Sequence, residues 1–228
     1  PGYIDACTVH TTHGRSLVFA TGIKLANPEL TVVNVMGDGD CAAIGGNHFI
    51  HACRRNIDIT AVILNNSIYG MTGGQVSPTT PIGAYATTAP YGAIDPPFDL
   101  CNLAAAAGAT YVARATVAQP QLIEQYIKKG IQNKGFSVVE VMTHCHTQFG
   151  RRNKLARPID NINRFKQVAY EGEGPREGDA EAGEAAGIAE PPGEAGEAPD
   201  ALRRGEARQH RVVEDRPKLE GHGRDADA

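Results

Sequence analysis

Two short runs place hard oxygen donors beside glycine or at the end of an apolar stretch: Gly37-Asp38-Gly39-Asp40 and Asn65-Asn66. Glycine lets a backbone turn sharply and lets a phosphate approach amide N–H groups closely. A carboxylate in such a turn repels a bare diphosphate. It becomes useful once a divalent cation lies between them, and Mg²⁺ favours hard oxygens from few protein ligands plus phosphate. The amide oxygen of Asn66 would add a neutral ligand without over-charging the site. Read singly, GDG is equally a strand-ending turn and NN equally a helix cap. The pairing carries the weight.

The elements that must position these runs can be read from periodicity. Thr31–Met36 and Ile59–Leu64 are short apolar runs bounded by turn formers, so each reads as a buried strand; Ala109–Ala113 and Ser137–Met142 are the third and fourth candidates. Helices are expected over Gly14–Ala26, Ala43–Arg54, Leu100–Ala107 and Gln119–Asn133. Alternation of this kind predicts an α/β fold, a parallel sheet covered by helices on both faces. Ligands of such sheets bind outside the carboxyl ends of the strands. The 25 residues Asp40–Leu64 between GDG and NN suit one strand–helix–strand crossover, which would bring Asp38 and Asn66 to adjacent loop tips. Asn65–Pro97 is a long Gly/Pro/Thr loop whose mixed aromatics favour an ordered binding loop.

GDG followed by NN at this distance resembles the thiamine-diphosphate-binding signature. The longer runs His10–Arg15 (HTTHGR), Gly37–His48 (GDGDCAAIGGNH) and Asn65–Pro81 (NNSIYGMTGGQVSPTTP), with GRRNK further on, resemble beta subunits of 2-oxoacid:ferredoxin oxidoreductases over Pro1 to about Leu155. GDGDCAAIGGNH and HTTHGR look more like the 2-oxoglutarate type than the pyruvate type. The resemblance implies a thiamine-diphosphate-binding fold. It implies Mg²⁺ held by Asp38, the Asn66 side chain and the carbonyl of Ile68. Gly37, Gly39 and Asp40 would lie against the diphosphate, and Tyr69, Gly70, Met71 and Thr72 would run under the thiazolium. It also places His13 near the cofactor, although a lone histidine is more often structural.

The chemistry implied is oxidative decarboxylation of a 2-oxoacid, with coenzyme A taking the acyl group and one-electron steps through [4Fe-4S] clusters to ferredoxin. No side chain here is an obvious general base. In the family the glutamate that engages the aminopyrimidine comes from the alpha subunit, so this chain alone is expected to be inactive. One [4Fe-4S] cluster of the beta subunit takes four thiolates. Cys145 should be the fourth ligand. The other three precede PGY in the family, so iron is not expected on this chain as given. Cys41, Cys53 and Cys101 read as small core residues, Cys7 is undecided, and a zinc site at His144–Cys145–His146 lacks a companion ligand pair. Arg151-Arg152-Asn153-Lys154 is either a solvated patch or an anion or partner contact.

Composition bounds the rest. Hydrophobic residues make up 41 % of 228, as in a soluble globular protein with one core-bearing domain. From Glu171 onward there are 16 Asp+Glu against 8 Lys+Arg, leaving the body with 10 against 14, and neither half is basic enough for nucleic acid. No apolar run approaches the roughly 20 residues that span a bilayer. Five cysteines without a CxxC pair suggest reduced thiols in the cytoplasm. The chain starts Pro1-Gly2-Tyr3, which reads as mid-domain, so a fragment is expected. Residues 1–165 would form the cofactor-binding domain. Residues 166–228 are Gly/Ala/Glu/Pro-rich and expected to be disordered, either a natural acidic tail or, preferably, out-of-frame translation of GC-rich DNA. The alternatives are another thiamine-dependent enzyme subunit, such as a decarboxylase or acetolactate-type synthase, or an inactive truncated cofactor-binding module.

Overall fold

The structure, a computed structural model, describes residues 4–168. The expected tail, with the choice between a natural extension and a frameshift, lies outside the described residues except at its start. There the last helix, α5 (Pro158–Val168), runs across the expected boundary at 165.

Among the described residues four parallel strands form one sheet: β1 (Val33–Gly37), β2 (Thr60–Asn65), β3 (Tyr111–Thr116) and β4 (Ser137–Met142), in the spatial order β1-β2-β4-β3. Helices α1 (Ser16–Ala26), α2 (Gly46–Arg55), α3 (Leu100–Ala106) and α4 (Pro120–Gln132) fall between them in the chain. Each has a local reason to start or stop. Asp99 caps α3 by accepting from Asn102 N–H at 3.0 Å, Pro120 opens α4, and Asn56 ends α2 at φ 49°. The Asn56 side chain also ties that end to the sheet, its Oδ1 accepting from Phe136 N–H at 2.7 Å.

The main core lies on one face. Leu17 and Ala20 of α1, Phe49 and Cys53 of α2, and Leu100 and Ala104 of α3 close over Met36, Ile63 and Val138. On the other face Val62, Val139 and Val141 meet Ile123 and Ile127 of α4. Cys41, Cys53 and Cys101 are buried, as expected of small core residues.

Three expectations need correcting. The third strand is not Ala109–Ala113 but begins at Tyr111, because Ala109 N–H still bonds back to Ala104 C=O in the turn that ends α3, with Gly108 at φ +102°. It continues through Arg114, a charge that would break an apolar strand were it not paired with Glu140. The helix expected over Ala43–Arg54 is two pieces, a π-helical turn at Asp40–Ile44 and then α2. Finally, one face is only partly covered. Val33, Val35 and Leu64 sit on the α4 side but stay exposed, since among the described residues α4 packs chiefly over β3 and β4 and reaches β2 less.

Candidate functional site

β1 and β2 are paired in register, Gly37 opposite Leu64, so the GDG turn and the NN turn leave the sheet side by side. The crossover spacing thus delivers the two loop tips together. Asn66 N–H points to Asp38 Oδ1 at 3.5 Å. The second turn is built from consecutive amide caps: Asn65 Oδ1 accepts from Ser67 N–H at 3.0 Å and Asn66 Oδ1 from Ile68 N–H at 3.2 Å, with Ser67 held at φ 60°.

Asp38 is 2 % exposed. Burial pushes its carboxyl above the usual range, and the hydroxyls of Ser77 and Thr79 and the Asn66 N–H pull it back only in part. Its partners are all neutral donors; no cationic side chain is among them. A buried carboxylate facing neutral donors, beside a second hard oxygen from Asn66, fits a divalent metal.

Asp40 turns the other way. Its carboxylate accepts from Gly14 N–H and lies 2.9 Å from His13 Nδ1, joining the HTTHGR loop to the first turn after β1. The His13 ring meets Tyr69 edge-on at 5.9 Å, and Tyr69 O–H donates to Gly39 C=O at 3.0 Å. His13, Asp38, Gly39, Asp40, Asn66 and Tyr69 are therefore one constellation. Burial, with Asp38 and Asp40 nearby, raises the Tyr69 phenol.

The glycines act differently from the expectation of a sharp turn. Gly39 has an ordinary right-handed φ of −68°; what forbids a side chain is the Tyr69 ring, 2.4 Å from where a Cβ would lie. Gly37 has no protein atom within 4 Å of its Cβ position, so the fold itself does not require glycine there. Close approach by a ligand would.

Beyond Asn66 the chain makes a tight loop, with Tyr69 N–H bonded to Gln75 C=O and Gly74 N–H to Tyr69 C=O. Gly73 and Gly74 take φ of +117° and +93°, which only glycine adopts freely. Gly70, Met71 and Thr72 ride on this loop. Met71 is wholly exposed and Thr72 pairs with Gln75, so these two are not drawn into the His13–Asp38 constellation. Ile68 is buried beneath the loop with Ala86 and Phe149. The 65–97 segment carries two isolated antiparallel bridges, Tyr69 with Gln75 and Ala86 with Ala89.

Cys145 lies against the same loop: a Cβ on Gly70 would stand 3.0 Å from its Sγ and 3.9 Å from Asn66 Nδ2. Partial burial pushes this thiol up, but the Thr147 hydroxyl and the N–H groups of Gln148, Phe149 and Thr147 outweigh it and lower it. His144 and His146 have ring centroids 6.1 Å apart, and among the described residues no three His, Cys, Asp or Glu side chains converge as a metal site. In the RRNK run, Asn153 is a clamp rather than a surface group. Its Oδ1 accepts from Tyr85 N–H at 2.8 Å, and its Nδ2 donates to Tyr85 C=O and Phe149 C=O.

Sequence reasoning gave no role to Thr79, Glu140 or Arg114, which lie with Asn65 behind Asp38. The signal was present: an arginine and a glutamate inside otherwise apolar strands, YVARAT and SVVEVM.

Among known proteins, residues 1–141 match the family described as thiamine pyrophosphate enzyme, C-terminal TPP binding domain. The 2-oxoglutarate synthase subunit KorB of Methanothermobacter marburgensis is 57 % identical over 167 residues, 73 % of this chain and 59 % of that protein. Its counterpart of the same name in Archaeoglobus fulgidus is 61 % identical over 165 residues, 72 % of this chain and 60 % of that protein. A solved structure of 2-oxoglutarate:ferredoxin oxidoreductase from Magnetococcus marinus, with 2-oxoglutarate, coenzyme A and succinyl-CoA bound, superposes with a TM-score of 0.68 at 35 % identity. It covers 76 % of this chain and 57 % of that chain. The chain thus spans about three fifths of the length of the curated relatives it matches.

Proposed function

The chain belongs to the thiamine pyrophosphate enzymes, and from that premise we propose that it is the thiamine-diphosphate- and Mg²⁺-binding part of a 2-oxoglutarate:ferredoxin oxidoreductase beta subunit. The observation that carries the cofactor assignment is Asp38: a buried carboxylate with only neutral partners, held beside Asn66 at the carboxyl ends of two adjacent strands. In this reading Asp38, the Asn66 side-chain oxygen and the Ile68 carbonyl hold Mg²⁺. Backbone groups of Gly37, Gly39 and Asp40 meet the diphosphate, and the Tyr69–Thr72 loop supports the thiazolium.

The chemistry that thiamine diphosphate supplies when bound is addition to the 2-oxo carbon and acceptance of the electron pair as CO₂ departs. The residues of this chain bind and orient. Asp38 supplies the negative charge that draws the metal, and Asp40 fixes His13 and the loop before α1 at the rim. Tyr69 closes against Gly39 and shields that backbone from water. As the family resemblance implies, the alpha subunit would supply the glutamate that engages the aminopyrimidine. Coenzyme A would take the acyl group and ferredoxin the electrons. Cys145, beside Gly70 with its thiol already lowered, would be one thiolate ligand of a [4Fe-4S] cluster. No helix among the described residues is long and apolar enough to cross a membrane, and the free thiols suit the cytoplasm.

Calorimetric titration of the chain with thiamine diphosphate, with and without Mg²⁺, tests the assignment. Binding should depend on the metal and be lost in Asp38→Ala, with far-UV circular dichroism unchanged. A folded sample that bound no cofactor even with the alpha subunit supplied would overturn it.

A further inference from the structure

Behind Asp38 lies a hydrogen-bonded row that the cofactor assignment does not use. The single Thr79 hydroxyl proton is shared as a three-centre bond between Asp38 Oδ2 at 2.7 Å and Asn65 Oδ1 at 2.9 Å. Asn65 Nδ2 donates to Glu140 Oε1 at 2.7 Å. Glu140 Oε2 accepts from Arg114 Nε at 2.7 Å and from the Cys101 thiol at 3.3 Å. Arg114 Nη2 continues to Asp99 at 2.6 Å, at the start of α3. Glu140 is 1 % exposed, and Asn65 and Thr79 are also buried. Strand register dictates the row, since Glu140 is opposite Ile63 on one side and Arg114 on the other, all three on one face.

We infer that Glu140 is a positioning residue for the metal ligand Asp38, acting through Asn65 and Thr79; this rests on the metal assignment above. The reason is donor and acceptor polarity. Both oxygens of Glu140 face donors, Asn65 Nδ2 on one side and Arg114 with Cys101 on the other. A carboxylate satisfies both sides and leaves one orientation for Asn65, with its NH₂ toward Glu140 and its oxygen toward Ser67 N–H and Thr79. That orientation sets where the Thr79 hydroxyl sits, and Thr79, together with Ser77 and the Asn66 N–H, fixes the rotamer of Asp38. Arg114 holds Glu140 in place from β3, the strand paired with β4 on the side away from β2. A group bonded directly to a ligand, as Thr79 is to Asp38, fixes its orientation and commonly changes metal affinity about 10–100-fold when altered; Glu140 stands three bonds from Asp38 and acts through Asn65 and Thr79.

Glu140→Gln keeps the shape but must turn an NH₂ toward Asn65 or toward Arg114, a donor against a donor. Thr79→Val removes the hydroxyl at constant volume, and Thr79→Ser restores it. The test is the Mg²⁺ concentration that half-saturates the binding of thiamine diphosphate by the chain, with the alpha subunit supplied if binding requires it. We expect it to rise at least about tenfold in Thr79→Val and Glu140→Gln and to stay within about twofold in Thr79→Ser. Ile123→Ala, on the α4 face, should lower the melting temperature and leave the Mg²⁺ midpoint alone. If wild type binds with Mg²⁺ and Thr79→Val has the same midpoint, the positioning role is overturned while the cofactor assignment stands. Should Glu140→Gln fail to fold, the Thr79 pair still decides. If wild type does not bind at all, the metal assignment falls and takes the positioning role with it.

Discussion

At the scale of the residue, the site is defined by what presses on it as much as by what it offers. Gly39 is a glycine because Tyr69 occupies the space of its side chain while its O–H bonds the Gly39 carbonyl. Gly39→Ala should therefore displace the ring and destabilise the fold by about 1–3 kcal/mol, the usual range for overpacking. The same change in a Tyr69→Ala background should cost little, since a right-handed φ suits alanine. Urea unfolding of the four proteins gives the coupling; additive effects would show that Tyr69 is not the reason for the glycine.

At the scale of the element, α3 is tied to the sheet through its cap. Partial burial pushes the Asp99 carboxyl up, but the Asn102 N–H and the Arg114 guanidinium outweigh it and hold it below its ordinary value of 3.8. A carboxyl depressed in the folded state stabilises fully above its unfolded value and stops doing so as pH falls through the folded one. Asp99→Asn should therefore flatten the loss of stability below about pH 4, followed as the urea midpoint against pH; an unchanged acid limb would remove Asp99 from that role. The elements also show where the sequence was legible. Apolar runs and crossover spacing placed β2, β4 and the adjacency of Asp38 to Asn66, because parallel pairing leaves little freedom in that unit. They misplaced β3, because Arg114 looks like a strand end until its partner Glu140 is known, and that partner lies 26 residues away. The site was legible to the same degree. Asp38 and Asn66 are recognisable by type and spacing, whereas Thr79 is one threonine of a loop until a long-range contact singles it out. The π-helical turns at Asp40–Ile44 and His146–Gly150 carry no periodic signal short enough to read.

At the scale of the whole molecule, one apolar edge is uncovered among the described residues. Val35 is 55 % exposed on β1, an edge strand, beside Val33 and Leu64. Edges of this kind invite pairing with other chains. Val35→Lys should reduce light scattering on concentration or heating and change unfolding free energy by no more than about 0.5 kcal/mol; undiminished scattering would locate self-association elsewhere. The strand order has a different consequence, for the timing of biosynthesis. β4 is the last of the described strands yet lies between β2 and β3, and among the described residues β3 has no other neighbour. A nascent chain can pair β1 with β2 and expose both the GDG and the NN turn long before residue 137 leaves the ribosome, but it has neither Glu140 nor a place for β3. Competence for the cofactor would therefore arrive in one late step, with the insertion of a single six-residue strand.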